Sequence, residues 1–158
     1  QALARVPMLE ALAMVARRFA GTPVRVIVKR HPMCRDDAVA EALEELDASG
    51  LISLSNDSVH ALIAASEAVF TVNSAVGAEA LVHLKPVYLF GEADYGWAAH
   101  RVTDAATLRA LTDPIRPARD LDSIRRFLLF YRTRHLVDTR DGPALRQVLA
   151  TRLGFAQE

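Results

Sequence analysis

The tetrapeptide Lys29-Arg30-His31-Pro32 follows directly on the apolar segment 24–28. An imidazole at a strand tip can donate a hydrogen bond to a phosphate, or a proton to a departing group. Pro32 keeps the residue before it extended, which holds the His31 ring off the strand. Lys29 and Arg30 alternate around the strand, so at most one of them shares a cleft with His31. Taken alone, the same four residues also describe an ordinary solvated strand end.

A second cluster occupies residues 71–81, TVNSAVGAEAL. Asn73 and Ser74 precede a run of small residues, with Ser74 placed to cap a helix and Gly77 inside its first turn. Free N–H groups and the positive end of the dipole make such a start a site for an anion. Gly77 costs helix stability, and the sequence offers no packing reason for it. Glu79 lies one turn further in. Its carboxylate could accept hydrogen bonds from two ribose hydroxyls, or simply favour the helix dipole from the surface. The loop 90–102 carries Asp94, Tyr95 and Trp97 between glycines, as a lid over a base or sugar or as packing against a neighbouring helix.

Elements that would position these groups follow from periodicity. Apolar spacing predicts a helix over 7–19, with Gly21 as a stop. Residues 22–29 read as a strand and 35–48 as an amphipathic helix with acids at its start. The pattern continues with a strand over 51–55, a helix over 58–65, a strand over 67–73, a helix over 74–84 and a strand over 87–90. Three helices follow, over 104–112, 120–136 and 142–153. Strands alternating with helices over short connections predict an α/β, Rossmann-like parallel sheet with helices on both faces. Ligands bind beyond the carboxyl ends of the strands in such sheets. The polar and glycine residues fall there: Lys29 to His31, Ser55 to Asp57 with Asn56 between, Asn73 to Gly77, and the 91–97 loop.

Composition excludes several classes. The 158 residues suit one domain with a proper core, and 51% are hydrophobic. Nineteen basic and nineteen acidic residues cancel, so nothing favours nucleic acid or an anionic membrane surface. Cys34 is the only cysteine, which excludes a disulfide framework and a cysteine-based metal cluster. The five histidines lack metal-ligand spacing, and neither a dinucleotide fingerprint nor a P-loop is present. His60 and His83 read as packed or surface helix residues. Arginines of the tail read as a solvated helix face. No apolar run reaches the ~20 residues of a membrane span. The chain opens with helical character on Gln1, which predicts a piece of a longer protein, and the single cysteine fits a reducing compartment.

The stretches VIVKRHP and VFTVNSAVGAEALVHLKPVYLFGEADY resemble the capsule polysaccharide biosynthesis and export family, which includes retaining β-Kdo glycosyltransferases. The resemblance covers residues 24–103 well and the segment FLLFYRTRHLVDTRDG more loosely. Its specific part is NSxxGxEALxxxKPV; KRHP departs from the commoner KPHP-like form. The resemblance implies one half of a GT-B fold, so that residues 1–158 form a single nucleotide-sugar-binding domain, the C-terminal half of a longer glycosyltransferase.

By the same resemblance the donor is CMP-Kdo and the acceptor a glycan or glycolipid, with no cofactor and no metal. His31 contacts the phosphate and assists its departure, Asn73, Ser74 and Gly77 form the phosphate-binding turn, and Glu79 takes the ribose. Lys29, Arg30, Asn56 and Tyr95 are further candidates. The setting is cytoplasmic, at the cytoplasmic face of the inner membrane through the full-length protein, and the domain alone is expected to be inactive. A CDP-glycerol glycerophosphotransferase-like domain, a sugar-nucleotide 2-epimerase-like domain and a non-catalytic nucleotide-binding domain remain alternatives.

Overall fold

The computed structural model describes residues 4–31, 34–113, 115–118, 120–135 and 138–153. Pro32, expected to orient His31, lies outside them. The chain divides into two compact units, Gln1–Arg119 and Asp120–Glu158.

In chain order the first unit contains α1 (Met8–Phe19), β1 (Ile27–Val28), α2 (Asp37–Ala48), β2 (Ser53–Leu54), α3 (Val59–Ala65), β3 (Val69–Thr71), α4 (Val76–Val82), β4 (Val87–Leu89), β5 (His100–Arg101) and α5 (Ala105–Thr112). β1 pairs with β2, β3 with β4 and β4 with β5, and every pair is parallel. Parallel strands joined through helices give the expected Rossmann-like α/β fold. The pairing forms two ladders among the described residues, β1-β2 and β3-β4-β5, where the sequence predicts one sheet.

The helix α1 joins the two ladders through packing. Ala11, Val15, Ala16 and Phe19 form its buried stripe at helical spacing. Val15 and Phe19 enter a core with Tyr88, Phe90, Val102 and Leu108. Ala16 faces a smaller core of Val39, Leu43 and Ile52. Val26, just before β1, packs against both. Phe70 stacks on Tyr88 with ring centroids 4.7 Å apart. The Tyr88 hydroxyl lies 3.1 and 3.2 Å from the carbonyls of Leu111 and Arg116 and accepts the Arg116 N–H at 3.0 Å. Burial pushes its pKa up, against the opposing effect of the Arg116 N–H and charge.

The first strand is much shorter than the predicted 22–29. Pro23 has no N–H to give a ladder, and Ile27 remains 48% exposed, so only two residues pair. A fifth strand, His100–Arg101, has no counterpart in the sequence pattern. Two residues of mixed character leave no alternation to detect. Helix α2 starts on Asp36, whose carboxylate accepts the Ala38 N–H at 3.1 Å, and ends before Gly50 at φ +73°, a conformation open to glycine without strain.

In the second unit, α6 (Leu121–Phe130) runs into a π-helical turn at Tyr131–His135, and α7 (Gly142–Leu153) follows. The predicted single helix over 120–136 therefore changes geometry after Phe130. Asp120 caps α6 through the Asp122 N–H and the Ser123 hydroxyl. Asp141 caps α7 through the Ala144 N–H. Arg125 and Arg140 are exposed and pair with Asp122 and Asp138, the solvated face expected of the basic tail.

Candidate functional site

At the tip of β1, Lys29 and Arg30 both close the local backbone. The Lys29 ammonium donates to the Asn56 carbonyl at 3.2 Å, tying the tip of β1 to that of β2. The Arg30 guanidinium donates to the Cys34 carbonyl at 2.8 Å and the Asp36 carbonyl at 3.4 Å, across the turn that carries His31. The Cys34 N–H returns to the His31 carbonyl at 2.9 Å. His31 itself is exposed at this tip. At the tip of β2, the Ser55 hydroxyl donates to Asp57 and accepts the Asp57 N–H, which leaves Asn56 on the crest of the turn.

The tip of β3 is built differently. The helix α4 begins one residue later than predicted: Ala75 is its N-cap and has no side-chain cap. The Ser74 hydroxyl nevertheless accepts the Val76 N–H at 3.3 Å, and the Ser74 N–H is held by the Thr71 hydroxyl at 3.2 Å. The Ser74 carbonyl accepts the Gly77 N–H at 3.0 Å and also the Tyr95 hydroxyl. Asn73 is exposed beside it.

Gly77 has a packing reason that the sequence did not reveal. A Cβ at this position would stand 2.6 Å from ring carbons of Tyr95. Tyr95 is 2% exposed, so of the two readings of its loop, packing holds for this residue. Trp97, in the same loop, is 47% exposed, and the Asp94 carboxylate caps the Tyr95 N–H at 3.0 Å.

Glu79 extends from α4 toward α3. Its Oε2 is buried and has no hydrogen-bond partner among the described residues. His60 Nε2 lies 3.9 Å away, within ion-pair reach and beyond a hydrogen bond. The His60 ring stacks on His83 at 5.8 Å. These two histidines therefore share the neighbourhood of Glu79, a contact between α3 and α4 that no local pattern signals.

The candidates thus gather at two places. Lys29, Arg30, His31 and Asn56 lie at the paired tips of β1 and β2. Asn73, Ser74, Gly77 and Glu79 lie around the start of α4, with Tyr95 beneath. No described group of three or more His, Cys, Asp or Glu side chains is placed to hold a metal ion. No described helix is long and apolar enough to cross a membrane.

The family model for capsule polysaccharide biosynthesis proteins matches residues 7–135, well over half of the chain. The chain belongs to this family. That assigns it a role in capsule polysaccharide synthesis. The match runs from α1 through the π-helical turn, so both places where the candidates gather lie within the matched residues. No curated protein and no solved structure matches the chain.

Proposed function

We propose that the chain is the donor-binding part of a capsule polysaccharide glycosyltransferase of GT-B type. The donor is a cytidine monophosphate sugar, CMP-Kdo by the family resemblance, and the acceptor is a glycan or glycolipid. Such donors place the work in the cytoplasm, at the inner face of the membrane where the acceptor is assembled.

Transfer breaks the bond between the anomeric carbon and the phosphate oxygen while an acceptor hydroxyl forms the new one. Negative charge then collects on the departing phosphate. In this reading the exposed Asn73 side chain and the Ser74 hydroxyl, which accepts the Val76 N–H and keeps its own O–H to donate, offer donors to that charge, and His31 donates to it from the β1 tip. Such preorganised donors stabilise developing charge without reorganising at the moment of reaction. The acceptor and the group that takes its proton are supplied by the other half of the enzyme, so the chain alone binds the donor without turning it over.

The observation that carries this reading is Glu79. The Glu79 side chain is 38% exposed, and its Oε2 has no hydrogen-bond partner among the described residues and lies 3.9 Å from His60 Nε2, so a ribose hydroxyl would supply it with a donor. Calorimetric titration with CMP, 2′-deoxy-CMP and UMP tests it. CMP should bind at least tenfold more tightly than 2′-deoxy-CMP, and Glu79→Gln should remove that difference. His31→Ala should weaken CMP by roughly ten- to a hundredfold, the worth of a hydrogen bond to a charged group. Unchanged CMP affinity in His31→Ala, or UMP binding as tightly as CMP, would overturn the reading.

A further inference from the structure

The chain leaves the first unit through the segment that follows α5 and leads to Arg119. The last carbonyls of a helix have no later turn to bond them. At the end of α5 they are met by side chains brought from other elements of the unit. Arg18, on α1, donates to the Thr112 carbonyl at 2.8 Å and to the Thr112 hydroxyl at 2.9 Å. That hydroxyl donates in turn to the Leu108 carbonyl at 2.7 Å. The Tyr88 hydroxyl, from β4, accepts the Arg116 N–H and faces the carbonyls of Leu111 and Arg116. His100, on β5, places Nε2 2.9 Å from the Pro117 carbonyl. A carbonyl has no proton to give, so Nε2 carries it.

Two features set this arrangement apart from an ordinary helix end. The first is burial. Asp113, Arg116 and Pro117 are exposed, yet the groups that hold the segment from beneath are not: His100 is 8% exposed, Thr112 3% and Tyr88 0%. A buried polar group is costly unless it is hydrogen-bonded, and each of these three turns a polar atom to this one surface segment. The second is contact between the anchors. The His100 ring stacks on Tyr88 at 5.1 Å, and Tyr88 stacks on Phe70 at 4.7 Å. One ring cannot shift without disturbing the other.

We propose that Arg18, Tyr88 and His100 form a single cooperative clamp that fixes the path by which the chain leaves the first unit. Loss of the His100 bond frees its ring to move against Tyr88, and the Tyr88 hydroxyl then loses its seat between Leu111 and Arg116. The segment is released as a piece, in a local opening, while the β3-β4-β5 ladder stays formed. None of the three side chains is among the groups assigned to the donor, so the clamp stands apart from that reading.

Amide hydrogen exchange, followed by NMR on the 158-residue chain, tests it. The Arg116 N–H is shared between the Tyr88 hydroxyl at 3.0 Å and the Leu111 carbonyl at 3.2 Å, and reports on the clamp. The Phe90 N–H donates to the Thr71 carbonyl at 3.0 Å and reports on the ladder. His100→Phe keeps a ring to stack and removes the bond to Pro117. It should speed exchange at Arg116 roughly tenfold and leave Phe90 as it was, although the bond removed is to a different residue. Tyr88→Phe, which keeps its ring and loses the hydroxyl, should do the same. The double variant should exchange little faster at Arg116 than either single one, since neighbouring groups that act together are not additive. Arg18→Met combined with Tyr88→Phe makes the same comparison with the imidazole in place, and decides the matter if His100→Phe loses its circular dichroism spectrum. Unchanged exchange at Arg116 in His100→Phe, equal acceleration at Phe90, or a double-variant effect equal to the product of the single ones would overturn the clamp.

Discussion

Gly77 is the residue at which sequence and structure differ most usefully. Inside a helix it looks like a concession to a ligand, because glycine there costs about 1 kcal/mol relative to alanine. The structure gives the position to Tyr95, whose ring occupies the space a side chain would need. Gly77→Ala should therefore destabilise the protein despite its better helix propensity, by about 1–3 kcal/mol for an overpacked site. Urea denaturation would measure this. In the Tyr95→Ala background the same change should cost far less, since the obstructing ring is gone. Equal effects in the two backgrounds would show that the ring does not set the cost. Both functions suggested for Gly77, space for an anion and space for Tyr95, demand the same absence of a side chain. Residue type alone could not separate them.

At the scale of elements, helix starts were the most legible features and their chemistry makes a pH prediction. The Asp104 side chain accepts the Thr107 N–H at 2.7 Å at the start of α5. That bond, with those from the Thr107 and Thr103 hydroxyls, holds its carboxyl below the usual aspartate range. Asp120 is lowered by the Ser123 hydroxyl and the Asp122 N–H. A lowered folded-state pKa contributes stability that is present above the unfolded value, near 3.9, and lost as pH falls through the folded value. Asp104→Asn keeps a good N-cap and removes the titration. It should lower the midpoint of thermal unfolding at pH 7 and flatten its fall below about pH 4. A wild-type acid slope in the variant would discount Asp104. Helices were legible because caps, acids and apolar stripes are local. The short strands were not: β5 depends on β4 for its existence, and nothing in His100–Arg101 announces a partner. The start of α4 slipped by one residue because Ser74 holds the turn ahead of the helix without being its N-cap.

For the whole molecule, the parallel α/β order could be read from the alternation of patterns. The division of the sheet into two ladders could not, since it depends on how far β1 extends beside its neighbours. Nor could the Glu79–His60 approach or the Arg30 bridge to Cys34, which exist only once helices and turns have docked. The tie from Tyr95 to Ser74 belongs to the same class, and it spans 21 residues. Closing a loop of that length has an entropic cost met before the contact forms. The tie is therefore expected to form late in folding, after β4 and the following turn have docked. Stopped-flow measurements on Tyr95→Phe, which keeps the ring and removes the tie, should show faster unfolding with nearly unchanged refolding; slowed refolding would place the tie in the nucleus instead. The part of the chain proposed to meet the donor would then be the part that opens first when the native state loosens.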